Sequence, residues 1–345
     1  MRKDASFSDL QMISRSPSGK GAGVGWFGEK EISQCLVFWT RLGWIVPLAV
    51  TLAREAPAAP SQPPQKSAPQ SISAELKADR VIVRIEGTLF TEYLFTAENK
   101  YPYFFPVNGP RTGRSVTVRN TEPYPHHSSL FFGCDRVNGG NYWQEGLERG
   151  RIVAKEIKLT RDAGSTITFQ QDCRWERPGA DAPFDDHREI SISAPSPDLR
   201  YIDFAITLKA RTKVRIEKNN HSLFSARVAP EISVKEGGSL ANARGDLNEH
   251  GTFGKASPWA DYRGRREGEI EGLAIFCHPE NRWFPPPWFT RDYGFMSPTP
   301  MFWLENGVLE FEPGESLHLR YRVIVHAGSP ALAAIDEQFR AWSKK

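Results

Sequence analysis

The sequence predicts an all-β fold, a large antiparallel β-sandwich that ends in one α-helix. Between residues 81 and 325, apolar β-branched or aromatic residues alternate with polar ones in short runs, as in strands with one buried face. Gly, Pro, Asn and Asp separate these runs, and almost no helical period lies between them, which favours antiparallel pairing. The 345 residues are 39% hydrophobic and 12% aromatic, so one domain can bury a large core.

The predicted elements follow one another along the whole domain. The strands are residues 81–85, 115–119, 152–159, 166–170, 189–193, 201–208, 214–217, 232–235, 272–276, 308–311 and 317–325. One helix is predicted over residues 331–342, because Leu332, Ile335, Phe339 and Trp342 recur at helical spacing soon after Pro330. We expect this helix to cover an edge or a face of a sheet.

Residues 1–53 form a predicted N-terminal extension that ends in a signal-peptide-like segment. Arg41 interrupts the apolar run, so its uninterrupted part, residues 42–53, is too short to span a bilayer but suits a signal-peptide core. Residues 54–72 are rich in Pro, Ala, Ser and Gln, which predicts a disordered linker before a domain at 73–345. We therefore expect export to the periplasm or the medium, without a stable membrane span after signal removal. The alternative is a buried apolar helix in a cytosolic protein.

Charge and motif content exclude several function classes. Lys and Arg number 44 against 41 Asp and Glu, and no basic stripe with interleaved aromatics is present, so nucleic acid is not an expected partner. Cys134, Cys173 and Cys277 show no CxxC spacing, which argues against a zinc knuckle or a redox dithiol. The chain lacks the GxSxG, P-loop and HExxH motifs, and no GxGxxG pattern follows a predicted strand, as a Rossmann fingerprint requires. The expected partner is a small molecule or an oligosaccharide, and no cofactor is identified.

A histidine pair in a Pro-containing loop is the first candidate for chemistry. His126 and His127 follow Tyr124-Pro125, and a turn there would let both imidazoles face one cleft. Alternatively, one of the two histidines has a structural role and stabilises the loop through a hydrogen bond. A third metal ligand would have to come from distant His221 or His278, so no metal site is predicted.

An amide and an indole follow the histidine pair within a few residues. Asn138 and Trp143 flank Gly139-Gly140, and an amide beside an exposed aromatic plane is a typical way to hold a sugar ring. The turn itself explains the glycines, and Trp143 is equally well explained as a core residue. Glu145, two residues after Trp143, is a candidate carboxylate in this stretch.

A second polar cluster lies much later in the chain. Lys255 and Asp261 are either a solvated ion pair or an acid and base that face a cleft. Three prolines at 285–287 stiffen the stretch before Arg291, whose planar fork suits a carboxylate or paired hydroxyls. Alternatively, Arg291 forms a salt bridge with Asp261 or Asp292 and locks the loop. The remaining candidates in this cluster are His278, Asn281, Trp288 and Tyr293.

These motifs together resemble a bacterial family of unknown function that is labelled methane oxygenase, PmoA-like. The matching segments are residues 103–110, 125–132, 137–139, 150–152, 253–255, 261–262 and 278–281, together with the single residues Trp259, Trp288, Arg291, Tyr293 and Gly294. The chain differs at Tyr124-Pro125, where the family usually has an aspartate and a further histidine. The resemblance implies an exported galactose-mutarotase-like supersandwich from bacteria that degrade complex glycans. A membrane-embedded oxygenase has several apolar helices, which this chain lacks after residue 53.

The leading hypothesis is an exported carbohydrate-active enzyme, a hydrolase, lyase or epimerase. One of His126, His127 or His278 would be the general acid or base, and Asp261 or Glu145 its counterpart. Residues that would bind or orient the sugar are Asn138, Trp143, Lys255, Asn281, Trp288, Arg291 and Tyr293. The alternatives are a non-catalytic glycan-binding protein and a metal-dependent oxygenase.

Overall fold

A computed structural model describes residues 68–144 and 146–344. The predicted N-terminal extension, most of the predicted linker and the candidate carboxylate Glu145 lie outside these residues. The first strand begins at Ile72.

The described chain forms twenty-one strands and two α-helices. In chain order the strands are β1 (Ile72–Leu76), β2 (Arg80–Ile85), β3 (Thr88–Leu94), β4 (Tyr103–Val107), β5 (Arg119–Thr121), β6 (Tyr124–Ser128), β7 (Leu130–Cys134), β8 (Arg151–Arg161), β9 (Ala163–Gly164), β10 (Thr166–Glu176), β11 (Phe184–Ser196), β12 (Leu199–Ala210), β13 (Val214–Glu217), β14 (Ser222–Arg227), β15 (Ser239–Asn242), β16 (Trp259–Arg266), β17 (Glu269–Cys277), β18 (Trp288–Arg291), β19 (Phe295–Pro298), β20 (Val308–Phe311) and β21 (Ser316–Ala327). The helices are α1 (Asn248–Thr252) and α2 (Leu332–Trp342). Short 3-10 turns occur at Leu147–Arg149, Pro230–Ile232 and Val234–Glu236.

Two antiparallel sheets make up the sandwich. The nine-stranded sheet has the order β18-β19-β14-β7-β4-β3-β2-β1-β9, and the eight-stranded sheet has the order β15-β16-β17-β21-β12-β11-β10-β8. Aromatic rings fill the space between them: Phe224 of the first sheet lies 5.0 Å from Phe204 and 4.8 Å from Tyr321 of the second, measured between ring centroids. The prediction of a large antiparallel sandwich is confirmed.

A buried polar network also connects the sheets. Arg188 of β11 has no exposed surface and pairs with Asp186, with Nε and Oδ1 2.8 Å apart. Its Nη1 donates to the Tyr93 hydroxyl of the nine-stranded sheet at 3.1 Å, and the Trp175 indole donates to Asp186 at 2.8 Å. The buried charges of Arg188 and Asp186 therefore compensate each other in the interior, where water cannot solvate them.

Helix α2 covers part of the outer face of the eight-stranded sheet. Its buried residues Ile335, Phe339 and Trp342 pack with Trp259, Phe276 and Ile324 in a second apolar cluster. Phe276 and Ile324 alternate with neighbours that face the main core, so they point to the opposite side of the sheet. The predicted C-terminal helix is confirmed, and it covers a face of this sheet.

Two predicted strands are wrong. Residues 232–235 alternate like a strand but form 3-10 turns between Pro230 and Gly237, whose φ of 89° ends the second turn. Of residues 115–119, only Arg119 belongs to a strand, while Ser115 and Thr117 make isolated bridges.

Within the described residues, Cys134, Cys173 and Cys277 are buried and free. No helix in this part of the chain is long and apolar enough to cross a membrane.

Candidate functional site

The site lies on the face of the nine-stranded sheet that points away from the eight-stranded sheet. Strand β14 places Ser225 opposite Phe131 of β7 and Arg227 opposite Phe295 of β19. Cross-strand partners point to the same face, and these four side chains alternate with residues such as Phe132 that enter the core. Phe131, Ser225, Arg227 and Phe295 thus form one side of the site.

The β5–β6 hairpin brings the histidine pair onto this face. His127 is buried and stacks on Phe295 with ring centroids 4.5 Å apart. His126 meets His127 edge to face at the same distance, and it is only half buried. Ser129, at a φ of 66°, turns the chain directly after the pair. A left-handed non-glycine residue beside a polar cluster is a feature of constrained sites.

A third imidazole, which the sequence analysis did not place in the site, completes the cluster. The His221 ring lies 5.3 Å from the His126 ring. His221 precedes β14 and Asp135 follows β7, and because these strands pair, the Asp135 amide donates to the His221 carbonyl at 2.8 Å. His221 Nδ1 lies 3.9 Å from Asp135 Oδ2. Asp135 thus places a carboxylate beside one of the three histidines.

The three imidazoles are neutral at physiological pH. Burial lowers the pKa of His127 to about 2, with further contributions from the charges of His126, Arg227 and His221. Burial, with the charges of His126 and Arg136, lowers the pKa of His221 to about 4. The pKa of His126 is lowered by burial as well. Each ring therefore offers one donor and one acceptor nitrogen.

The second polar cluster supplies the opposite wall. Tyr293 stacks on Tyr124 with ring centroids 4.6 Å apart. The Arg291 guanidinium lies over the Phe289 ring at 4.2 Å, and its Nη1 lies 3.0 Å from Glu249 Oε1. The partner of Arg291 is thus Glu249, and the alternative salt bridge to Asp261 or Asp292 is wrong.

Two cavities flank the histidine pair. The smaller one, which we call the histidine pocket, has a volume of about 190 Å³ and is lined by Tyr124, His127, Asn220, His221, Phe289, Arg291, Tyr293 and Phe295. The larger one measures about 640 Å³ and is lined by His126, Trp143, Tyr103 and eight further residues. His126 Nε2, His127 Nδ1 and Trp143 Nε1 are buried without a hydrogen-bond partner. Such atoms call for a polar ligand or water, since an unpaired buried polar atom is costly.

His278 and Asn281 do not belong to this site. The His278 ring packs edge to face on Trp342 of α2 at 5.1 Å. The Asn281 amide donates to and accepts from the backbone of Arg320, which holds the loop 278–284 to β21. Their predicted roles in a shared pocket are therefore corrected: both are on the side of the eight-stranded sheet.

Asp261 and Lys255 do not meet in a cleft. Asp261 has no exposed surface, and its Oδ1 lies 2.8 Å from His326 Nε2. It lies on the same side of β16 as Trp259, whose indole contacts Asp336 of α2, whereas Lys255 is exposed. The predicted acid and base pair is thus absent.

Three predicted sugar contacts have structural roles instead. Asn138 has a φ of 49° and bonds through its amide to the backbone of Lys213 and Arg215, so it anchors a turn. Trp288 is buried, and its indole donates to the Ser257 carbonyl at 2.8 Å. Trp143 is 1% exposed, which excludes it as an open stacking platform, although it lines the larger cavity.

The structure thus unites His126, His127, Arg291 and Tyr293 of the predicted residues, with Trp143 behind them. It adds Tyr124, Asp135, His221 and Arg227. His221 stands in a polar run, residues 217–222, and Arg227 in a mostly apolar stretch, but only the β7–β14–β19 pairing brings them to the site.

The described residues contain no group of three or more His, Cys, Asp or Glu side chains arranged to hold a metal ion. The three imidazoles are close together, yet they meet edge to face or stacked on aromatic rings.

A family model matches residues 80–340 of the chain, and its description is "Family of unknown function (DUF6807)". The match supports the expectation of a family without known function, and it carries no oxygenase label. No curated protein matches the chain in sequence.

Several solved structures are similar in fold at low sequence identity. A galactose mutarotase related enzyme from Lactobacillus acidophilus is 9% identical, with 75% of this chain and 97% of that chain covered and a TM-score of 0.30. The galactose 1-epimerase from Lactobacillus acidophilus NCFM is 8% identical, with 76% and 100% covered and a TM-score of 0.36. An alpha-galactosidase from Lactobacillus brevis is 8% identical, with 75% and 39% covered and a TM-score of 0.33. At such low scores these similarities leave the function to be argued from the site itself.

Proposed function

The chain belongs to this family of unknown function, DUF6807, and we propose that it is an exported carbohydrate-active enzyme that works at the histidine pocket. The observation that carries the proposal is a cluster of three neutral imidazoles, two of them with unpartnered nitrogens, beside a stacked tyrosine pair.

The chemistry of the lining favours hydroxyl groups. A neutral imidazole donates one hydrogen bond and accepts another, as a sugar hydroxyl does. The Tyr124–Tyr293 pair adds aromatic surface, against which the apolar face of a sugar ring can pack. The volume of 190 Å³ corresponds to about six water molecules, which suits one sugar-sized group.

His126 is the best candidate for proton transfer. It is only half buried, its Nε2 lacks a partner, and it lines the larger cavity beside His127, which lines the histidine pocket. His221, held beside Asp135, is placed to orient it or to share the proton. A substrate that extends from the histidine pocket into the larger cavity would pass this imidazole. Hydrolysis, elimination and epimerisation each need such a group.

One observation favours a second candidate, a glycan-binding protein without turnover. The lowered pKa values of His127 and His221 make them weak bases, better suited to hydrogen bonding than to proton transfer at neutral pH. In that case the same residues bind the sugar and no bond is broken.

The test is a screen of the purified protein against plant and algal oligosaccharides, with product detection and calorimetric binding in parallel. We expect His126→Ala and His221→Ala to lose turnover by about 100-fold or more. The control is His318→Ala, an exposed histidine on the eight-stranded sheet. Saturable binding without turnover in the wild type selects the second candidate. Turnover that survives in both pocket variants would contradict the proposal.

Export is tested separately. A periplasmic or secreted protein whose first residue lies after position 53 is the expected result, and intact residues 1–53 on the mature protein would contradict it.

A further inference from the structure

Arg227 lies beside the histidine pocket with its charge uncompensated. Its side chain is 6% exposed, one Nη1 hydrogen bond goes to the Tyr293 carbonyl, and Nε is buried without a partner. The guanidinium lies over the Tyr293 ring at 4.4 Å. Among the described residues, no carboxylate lies within ion-pair distance of it.

The other two buried arginines of the described chain are compensated. Arg188 pairs with Asp186, and Arg266 pairs with Glu271, whose Oε2 lies 2.8 Å from Nη2. Both of those carboxylates are themselves buried. The absence of a partner for Arg227 is thus an exception within this molecule.

The register of the sheet points Arg227 toward the site. It stands opposite Phe295, which lines the histidine pocket, so both side chains leave the sheet on the same face. The Arg227 charge interacts electrostatically with His127, Tyr124 and Tyr293, and all three residues line the same pocket.

A buried guanidinium without a counter-ion is unfavourable, because desolvation of the charge is not repaid by a partner. A ligand that supplies the missing negative charge would remove this cost. Arg291, the arginine that lines the pocket, already pairs with Glu249, and the histidines are neutral. Arg227 is therefore the positive charge that remains for a ligand.

We propose that the histidine pocket binds an acidic sugar and that Arg227 pairs with its oxyanion, a uronate carboxylate or a sulfate ester. The inference rests on the proposed function for the sugar and adds the charge of that sugar. The planar fork of arginine matches a carboxylate through two parallel hydrogen bonds. Exposed Lys235, with Nζ 6.0 Å from the Tyr293 ring centroid, adds positive potential near the same wall.

The experiment compares acidic and neutral sugars by calorimetry at pH 7. The probes are galacturonate and glucuronate, galactose 6-sulfate, the neutral galactose and glucose, and acetate and sulfate alone. We expect one class of acidic sugar to bind about 10-fold or more tightly than its neutral counterpart, and to weaken as salt is added. The carboxylate and sulfate arms identify which oxyanion is preferred.

Three variants test whether Arg227 causes the preference for acidic over neutral sugars. Arg227→Met should lose it, Arg227→Lys should keep part of it, and Arg265→Met, an exposed arginine elsewhere, should keep all of it. Because Arg227→Met removes an unpaired buried charge, we expect its Tm to equal or exceed that of the wild type. This result would distinguish a binding role from a structural one.

Each other outcome counts against the idea in a defined way. Neutral sugars that bind as well as acidic ones overturn the role of Arg227 and leave the proposed function standing. Acetate or sulfate that binds as tightly as the acidic sugars overturns the sugar assignment. An unchanged preference in Arg227→Met, or a lower Tm with unchanged binding, assigns Arg227 to the fold. If no sugar binds and none is turned over, the proposed function fails as well.

Discussion

At the scale of single residues, burial decides which candidate groups can act. His126 and His127 adjoin each other in sequence, yet the first is half buried and lines the larger cavity, and the second is buried and stacks on Phe295. Burial also excludes Asp261 and Trp288 from the candidate site, because both side chains are buried and form hydrogen bonds within the protein.

His127 should make stability depend on pH. Its pKa is about 2 in the folded state, against 6.5 for a free imidazole, so protons bind the unfolded chain first. The stabilisation is complete above pH 6.5 and is lost as the pH falls below that value, by up to about 1.4 kcal/mol per pH unit. His127→Phe keeps the ring stack but cannot titrate. We expect its free energy of unfolding, measured in urea between pH 7 and pH 4, to fall less steeply than that of the wild type.

The exposed His318→Gln variant is the control for this comparison and should follow the wild-type slope. Equal slopes for wild type and His127→Phe would show that His127 is not held neutral by the fold.

At the scale of elements, the sequence predicted those strands that have one polar face. Strand β12 alternates over its length and was recognised, whereas every residue of β7 and of β14 is buried. A fully buried strand has no alternation to detect. These two unrecognised strands place Asp135, His221 and Arg227, which explains why the histidine pair was identified from sequence and its neighbours were not.

Helix α2 was predicted correctly because its apolar stripe is regular, and its packing yields a prediction. Phe339 packs on Phe276 and Phe284 with ring centroids 5.7 and 6.1 Å apart. Phe339→Ala should lower the free energy of unfolding by about 3–5 kcal/mol, because it removes a buried ring and leaves a cavity. Denaturant titration measures this loss, and Glu337→Ala on the exposed side of the helix is the control.

Sugar binding by Phe339→Ala should stay unchanged while the protein is folded, since the helix covers the eight-stranded sheet and the pocket lies on the other one. Weaker binding in the folded variant would contradict that separation.

At the scale of the whole molecule, the two sheets are joined by apolar packing and by the network of Arg188. Asp186→Ala leaves this arginine buried without a counter-ion, so we expect a loss of about 3–5 kcal/mol in unfolding free energy. The double variant Asp186→Ala with Arg188→Met removes both charges and should recover most of that loss. A double variant as unstable as the single one would show that the carboxylate matters for another reason, such as its bond to Trp175.

The walls of the histidine pocket come from widely spaced parts of the chain, from Tyr124 in the β5–β6 hairpin to Phe295 in β19. A chain that is still being synthesised or is partly unfolded therefore does not form this cavity. Ligand binding at this pocket therefore indicates that the whole domain has folded. Selection for ligand binding would also select for correct folding from the β5–β6 hairpin to β19.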